Sequence, residues 1–476
     1  HREAKSDLAT VFVERCRSML PAGGSAAMVL PENWSFLKSY QDFRRWLLVD
    51  SHVAAVAFLG AGAFAAIGGE VVKTSLLILT RDQGRDAIVL DCADQEGRDA
   101  KATGLRMLEV QRRKSLEWLS ARSFVISYRT FEASQLLDRH AAGLQGLSTG
   151  DNARFIRQFT ELGELDGRWE HMLNAPSKTE FWTARKFVLW WDRGTGALAR
   201  EATIRGQKAW GRRGVAVSRT GSFPITRYQG EYFTDSVVVV LPRQEETLIA
   251  LWCYMNSAEY GKDLRAINSK LIVANATMVQ VPFDLERWTA VAGKQFPDGL
   301  PEPFSDDPTQ WLFKGSVEGS RNSLQVAVAR LLGFRWPDQE PDSLDALADT
   351  DGVVCLPALG GEATAEERLR ELLAVAFGSS WSQQVLDELL VEAGGKPGGM
   401  GKWLRDGFFK DHCKVFSNRP FIWQIWDGRP DGFSALVNYH KLDRKLLERL
   451  TYDYLGSWWI GRLNDEVRQQ VTGAES

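Results

Sequence analysis

The chain has 476 residues, of which 44% are hydrophobic and 25% are charged, and its net charge is −3. This length exceeds what one hydrophobic core fills, so roughly two or three domains are expected. The small net charge excludes a global positive field, so any contact with nucleic acid requires a local basic patch. The five cysteines are scattered without a Cys-x-x-Cys pair. That spacing argues against a zinc site or a disulfide framework and favours a reducing, cytoplasmic compartment.

The first 92 residues alternate between helical and strand patterns. Apolar residues recur at helical spacing in some segments, and short apolar runs typical of buried strands separate them. The predicted helices are 6–20 and 32–48, and the predicted strands are 25–30, 53–59, 71–79 and 86–92. This order predicts one half of a doubly wound α/β sheet. The last strands follow without a helix between them, so one of them is expected to be antiparallel.

A glycine pattern after the strand at 53–59 resembles a dinucleotide-binding fingerprint. Gly60 and Gly62 fit the first two glycines of G-x-G-x-x-A. The fingerprint requires a helix whose N-terminal N–H groups hold a pyrophosphate. The residues that follow are β-branched and predict a strand instead, so a nucleotide site is not expected here.

The remainder of the chain mixes both patterns. Helices are predicted at 112–122, 131–145 and 245–267, and a strand at 236–241. Residues 292–345 are rich in proline and are interpreted as a linker around one amphipathic helix at 323–333. A capping box from Thr364 to Glu367 begins the last region. A β-hairpin is predicted over 421–440, with a turn of Gly, Pro and Asp.

The segment 205–228 is the most basic stretch of the sequence. It contains six cations with only neutral residues between them, and Trp210, Phe223 and Tyr228 are interleaved. The cations are Arg205, Lys208, Arg212, Arg213, Arg219 and Arg227. Cations with aromatics and hydroxyls are typical of a DNA-facing loop, with Arg213 expected on a phosphate and Arg219 on a base edge. The alternative is a solvated loop whose charges have acidic partners elsewhere.

Four stretches resemble the adenine-N6 DNA methyltransferases of type IIG and BREX-like systems. Residues 6–34 resemble the helix and strand that follow the catalytic loop of that family, and 37–79 resemble the next helix and the terminal strands. GLSTGDNARF, at 146–155, resembles the stretch that opens the DNA-recognition region. Residues 418–442 resemble a segment that those enzymes carry past it.

This resemblance implies a partial Rossmann-like methyltransferase sheet, then a mixed α/β target-recognition region, then a mainly helical C-terminal domain. The expected boundaries are 1–95, 96–345 and 346–476. The family binds S-adenosylmethionine on a glycine-bearing loop and the flipped adenine on an Asn-Pro-Pro-Tyr loop. Neither loop is found here, and both are expected upstream of His1. We therefore expect no catalytic, cofactor-binding or metal residues in this chain, and we expect it to be inactive alone.

The resemblance also suggests site residues. Pro31 and Asn33 follow a buried strand at the edge where ligand crevices open, although Asn33 is equally suited to cap the next helix. Glu70 leads into the strand that flanks the flipped base in the family. Asn152 and Arg154 are suited to base edges or phosphate, although their turn also fits a helix cap.

The implied function is methyl transfer to adenine N6 in a restriction or phage-defence system. Double-stranded DNA is the expected partner, with other defence-system proteins as a further class and no membrane. Two alternatives remain. One is a non-catalytic DNA-specificity or scaffold subunit. The other is a tryptophan-rich glycan-binding or structural protein, because the 18 tryptophans fit either core packing or stacking surfaces.

Overall fold

We analysed a computed structural model that describes residues 7–64, 73–82, 84, 86–108, 110–128, 136–268, 270–359, 361–429 and 432–473. The helices are α1 (Leu8–Met19), α2 (Gln41–Asp50), α3 (Gly97–Met107), α4 (Ser115–Ser120), α5 (Asn152–Phe155), α6 (Ala197–Glu201), α7 (Leu248–Met255), α8 (Ala258–Ile267), α9 (Leu285–Gln295), α10 (Ser323–Leu331), α11 (Ala365–Phe377), α12 (Gln383–Glu392), α13 (Met400–Asp406), α14 (Phe408–Val415), α15 (Arg444–Arg449) and α16 (Gly456–Gly473).

The strands are β1 (Ser25–Pro31), β2 (His52–Gly60), β3 (Thr74–Thr80), β4 (Asp86–Asp91), β5 (Gln111–Lys114), β6 (Ala141–Gln145), β7 (Ile156–Gln158), β8 (Trp169–Leu173), β9 (Phe187–Trp190), β10 (Gly214–Ser218), β11 (Ile225–Tyr228), β12 (Tyr232–Phe233), β13 (Val237–Pro242), β14 (Val353–Cys355), β15 (Ile422–Trp426) and β16 (Ser434–Asn438).

The chain forms two compact units, each assembled from separate segments. The first comprises 1–145, 211–230 and 236–300, and the second comprises 146–210, 231–235 and 301–476. The architecture is mixed α/β with several small sheets. The three-domain division expected from the sequence stays a prediction.

The first sheet of unit 1 has the strand order β1-β3-β2-β4-β5. Strand β3 is antiparallel to both of its neighbours, and β2 is parallel to β4. The four strands predicted in the first 92 residues and the antiparallel strand among them are therefore confirmed. Among the described strands, β1 pairs only with β3, so its other edge is open.

The packing of this sheet extends past residue 95. Strand β5 pairs with β4, and the buried Trp118 of α4 joins the core that contains Phe43 and Val56. The helix predicted at 112–122 therefore begins three residues late, because its first residues form the edge strand. The second predicted helix, 32–48, is also shorter than expected: two 3₁₀ turns precede α2.

A second sheet of unit 1 has the order β11-β10-β13-β6. The strand predicted at 236–241 is confirmed as β13, whose residues are all buried. The helix predicted at 131–145 is wrong in its described part, 136–145. That part holds one 3₁₀ turn and β6, because residues 141–145 pair with β13. The helix predicted at 245–267 is divided into α7 and α8 at Asn256 and Ser257.

Unit 2 contains two further sheets, β12-β8-β9-β7 and β14-β16-β15, and most of the C-terminal helices. Helix α10 confirms the helix predicted at 323–333 but ends at Leu331, and it is not amphipathic, because all nine of its residues are buried. It lies in the large core that also contains Trp336, Leu369 and Phe408.

Two predictions for the C-terminal region are confirmed. Thr364 and Glu367 form the capping box of α11. Strands β15 and β16 form the antiparallel hairpin. Among the described residues, no helix combines the length and the apolar character that crossing a lipid bilayer requires.

Candidate nucleic-acid interface

The basic segment 205–228 contains the hairpin of β10 and β11. Strand β10 reads Gly-Val-Ala-Val-Ser, and its β-branched residues suit a central strand between β11 and β13. Gly221, with φ +68°, lies in the connection between the two strands. Strand β10 is buried and carries no cation, so five of the six cations lie outside the two strands and Arg227 lies in β11.

Four of the six predicted cations, including Arg205, lie at the surface. Lys208, Arg212 and Arg213 are exposed. Arg213 lies 3.7 Å from Glu245, and both side chains are more than 60% exposed, so this ion pair contributes little energy. Lys208 and Arg212 form no hydrogen bond or ion pair with another described residue. These three side chains therefore have their charge available to a ligand.

The remaining two of the six cations, Arg219 and Arg227, are engaged with the protein. Arg219 is half-buried, and its Nε donates to the carbonyl of Val273 at 3.0 Å. Arg227 lies in β11 and is buried, with 7% of its surface exposed. Direct DNA contact by Arg219 or Arg227 stays a prediction. Each side chain would have to bind DNA in addition to its present protein contacts or in place of them.

The interleaved aromatics do not form a stacking surface. Phe223 and Tyr228 are buried, with exposed fractions of 3% and 1%. Trp210 is half-buried and packs on Tyr232, with ring centroids 4.5 Å apart. The burial of Phe223 and Tyr228 shows that the expectation of DNA stacking is wrong for these two side chains, and stacking by the half-buried Trp210 stays a prediction.

The turn that precedes α5 holds two further predicted residues. Asp151 caps α5 by accepting from the Arg154 backbone N–H at 3.1 Å, which confirms the capping alternative. Asn152 accepts from the Thr149 hydroxyl at 2.5 Å. Arg154 pairs with Glu201 at 2.8 Å, and both side chains are half exposed. Both Asn152 and Arg154 remain at the surface, and their contact with DNA stays a prediction.

Pro31 and Asn33 lie at the carboxyl end of β1 and are exposed. Asn33 lies inside a 3₁₀ turn, Glu32–Ser35, whose capping residue is Pro31, so the alternative that Asn33 caps a helix is wrong. Glu70 lies outside the described residues. The turn is held by Arg44, a buried arginine of α2, which donates to the carbonyls of Trp34 and Leu37, both at 2.8 Å.

The Asp7 side chain caps α1, and the Tyr40 hydroxyl donates to it at 2.7 Å. Burial and this bond raise the pKa of Tyr40 to about 12. His412 is fully buried between Gln325 and the backbone N–H of Ile422, so its role is structural. In the part of the chain that the structure describes, no group of three or more His, Cys, Asp or Glu residues could hold a metal ion.

The sequence reasoning missed one loop of unit 1. Arg265 bridges the β10–β11 connection and the segment 270–273, and Leu271 and Ile272 are exposed beside it. A signal was present, because the segment 264–283 contains no Asp or Glu.

Comparison with known proteins shows what the chain is similar to. No family model matches it. It is 21% identical to the adenine-specific methyltransferase PglX of Lacticaseibacillus casei (strain Zhang) over 602 aligned positions, which cover 95% of this chain and 49% of that protein. It is 40% identical to the adenine-specific methyltransferase BrxX of Escherichia coli O9:H4 (strain HS) over 77 residues, which cover 16% of this chain and 6% of that protein.

These relatives confirm the resemblance to adenine-specific methyltransferases. The chain spans about half of the PglX relative.

Solved restriction-modification proteins are also similar. The type IIL enzyme MmeI in complex with DNA matches 85% of this chain and 51% of its own, with 9% identity and a TM-score of 0.36. The M protein of the type I enzyme EcoKI matches 17% of this chain and 18% of its own, with 30% identity and a TM-score of 0.15. Scores this low carry no argument about the arrangement of this chain.

Proposed function

We propose that this chain is the C-terminal part of a site-specific DNA adenine-N6 methyltransferase of a restriction-modification or phage-defence system. The observation that carries the proposal is the alignment of 95% of the chain with about half of an adenine-specific methyltransferase. In this proposal residues 7–128 contribute the second half of a Rossmann-like methyltransferase sheet, and the later segments contribute target recognition and a C-terminal domain.

The geometry of the first sheet supports this assignment. The open edge of β1 exposes unpaired backbone groups, and Val29 of β1 is 57% exposed. Leu8, Phe12 and Met19 of α1 are exposed as well. An open edge and exposed apolar residues are a liability that proteins normally cover. We propose that the methyltransferase half that precedes this chain in the complete enzyme pairs with β1.

The complete enzyme would take its methyl group from S-adenosylmethionine. The 476 residues contain no Asn-Pro-Pro-Tyr sequence, and the glycines at 60 and 62 are followed by a strand at 74–80. The residues of this chain therefore do not fit the cofactor, and we derive no step through it. We propose instead that they line the substrate crevice, because Asn33 lies at the carboxyl end of β1, where the crevices of such sheets open.

The proposed substrate is double-stranded DNA. The exposed cations Lys208, Arg212 and Arg213 supply charge for phosphates. Each cation that neutralises a phosphate adds about one unit to the slope of log affinity against log salt. A DNA-specificity or scaffold subunit without catalysis would show the same binding, so this property distinguishes both from the glycan-binding alternative.

A fluorescence-anisotropy titration of the chain with a mixed-sequence DNA duplex, at several salt concentrations, tests DNA binding. The double variant Arg212→Ala/Arg213→Ala should lower affinity for all sequences and reduce the salt slope by about two units. The matched control is Arg444→Ala/Lys445→Ala, an adjacent pair of exposed cations on α15. An unchanged slope in the first variant, or an equal loss in the control, would contradict the assignment of this surface.

A further inference from the structure

Two loops of unit 1 are bound to each other at one end of the second sheet. Arg219 and Val273 exchange two hydrogen bonds: the Arg219 Nε donates to the Val273 carbonyl at 3.0 Å, and the Val273 N–H donates to the Arg219 carbonyl at 3.0 Å. Arg265 donates to the carbonyls of Gly221 and Lys270. The connection 219–223 and the segment 270–273 therefore form one ledge.

The ledge is held in a defined geometry. The Arg265 guanidinium lies over the Phe223 ring, 4.2 Å from its centroid. Phe223 has φ +59°, a left-handed conformation that is costly for a bulky residue. Such a conformation persists only where the surrounding contacts determine it, and here the burial of Phe223 and its contact with Arg265 do so.

Two apolar side chains project from this ledge. Leu271 is 66% exposed and Ile272 is 54% exposed, whereas the next residue, Val273, is fully buried. An adjacent Leu and Ile at the tip of a fixed loop leave apolar surface in water that a partner would cover. Thr220, Gly221 and Ser222 beside them are exposed, small and uncharged.

The charge around the ledge selects the partner. The two stretches of unit 1 that form it, 219–223 and 264–273, contain three cations, Arg219, Arg265 and Lys270, and no Asp or Glu. Asp263, which precedes the second segment, is buried. A surface with cations around an apolar tip is complementary to a polyanion that also offers apolar faces. Double-stranded DNA has both, in its phosphates and its base pairs.

We propose that this ledge is a DNA-binding element in which Leu271 and Ile272 insert between base pairs as a wedge. This inference rests on the proposed DNA-binding function. Wedges of this kind unstack a base step and bend the duplex by about 20–90°. Lys270 lies next to the wedge and contacts a neighbouring phosphate. Arg219 and Arg265 are positioning residues that fix the two loops.

The test uses the 476-residue chain and a mixed-sequence duplex of about 30 base pairs with a fluorophore at each end, a length over which a bend is measurable. Energy transfer reports bending, and anisotropy over several salt concentrations reports affinity. The variant Leu271→Ala/Ile272→Ala should lose the bend and about tenfold in affinity, because apolar contact is removed. Its salt slope should not change, because no charge is removed.

Matched variants separate the wedge from other effects. Leu271→Met/Ile272→Met retains apolar bulk and should retain the bend. Lys270→Ala should retain the bend and reduce the salt slope by about one unit. Val375→Ala/Val391→Ala removes two exposed apolar side chains from unit 2 and should change neither.

Four results would overturn the proposal, and they can be distinguished from one another. A wild-type chain that binds the duplex without bending it, or an alanine pair that still bends it, refutes the wedge alone. A fall in the salt slope of Leu271→Ala/Ile272→Ala would show that the segment 270–273 acts through charge and not through apolar contact. A wild-type chain that does not bind the duplex at low salt refutes both the wedge and the proposed DNA-binding function.

Discussion

Replacing Arg44 should open the turn that carries Asn33. The Arg44 side chain is fully buried and donates to four carbonyls, those of Trp34, Leu37, Ser123 and Phe124, at 2.7–3.2 Å. Burial lowers its pKa to about 10, so it remains charged at neutral pH. It joins the 3₁₀ turn after β1 and helix α2 to the residues that follow α4.

The variant Arg44→Met keeps most of the aliphatic volume and leaves these carbonyls without their donor. Loss of charged hydrogen bonds in a buried position costs about 3 kcal/mol or more. Because 1.4 kcal/mol corresponds to a tenfold change in an equilibrium, opening of this region should become about a hundredfold more frequent. Arg44→Lys keeps the charge but not the planar fork of donors, so its effect should be intermediate.

Peptide-resolved hydrogen exchange over residues 32–48 measures this opening. The control is Arg45→Met, which removes the exposed neighbouring arginine of the same helix. Exchange in that control should match the wild type. Equal exchange in Arg44→Met and Arg45→Met would refute the assignment of Arg44 as the residue that holds the turn.

Two further predictions concern stability. A fragment of residues 7–128 should resist urea better than a fragment of residues 7–95. The shorter fragment lacks β5, Trp118 and two of the carbonyls that Arg44 binds. Equal urea midpoints would instead support a domain boundary at residue 95. Burial lowers the pKa of His412 to about 3, so the unfolded chain binds more protons between about pH 6.5 and pH 3. The free energy of unfolding of unit 2 should therefore fall by up to about 1.4 kcal/mol per pH unit as pH drops through that window, and His412→Gln should remove this dependence. Hydrogen exchange of β15 at pH 7, 6 and 5 measures this free energy. An equal pH dependence in the variant would show that another group titrates.

The sequence predicted the elements that local patterns determine. The short apolar runs of β1 to β4 and the β-branched run of β13 identified strands correctly. Successive apolar side chains fit strands buried on both faces, as in most of β2 and all of β13, whereas β1 and β4 each leave one face partly exposed. The error at 136–145 has a tertiary cause. Residues 141–145 form β6 because β13 offers them an edge, and Gly143 permits an approach in which a Cβ would lie 2.5 Å from the Asn275 carbonyl oxygen.

The candidate site was predicted only in outline. The run of cations identified a segment with exposed charge, but spacing alone did not distinguish the exposed Arg212 from the buried Arg227, because Arg212 precedes β10 whereas Arg227 lies within the buried strand β11. The apolar pair Leu271 and Ile272 resembles a core segment in the sequence. Its exposure follows from hydrogen bonds between loops that are 54 residues apart in the chain.

Methyl transfer by the complete reading frame tests the central claim most directly. The gene should be extended upstream of the codon for His1, and its product incubated with tritiated S-adenosylmethionine and mixed-sequence DNA. The account predicts label in N6-methyladenine after digestion for the extended product, and no incorporation above a heat-inactivated control for residues 1–476 alone. Incorporation by residues 1–476 alone would contradict the claim that the catalytic loops lie outside this chain, and an extended product without an Asn-Pro-Pro-Tyr sequence or activity would contradict the assignment as a methyltransferase.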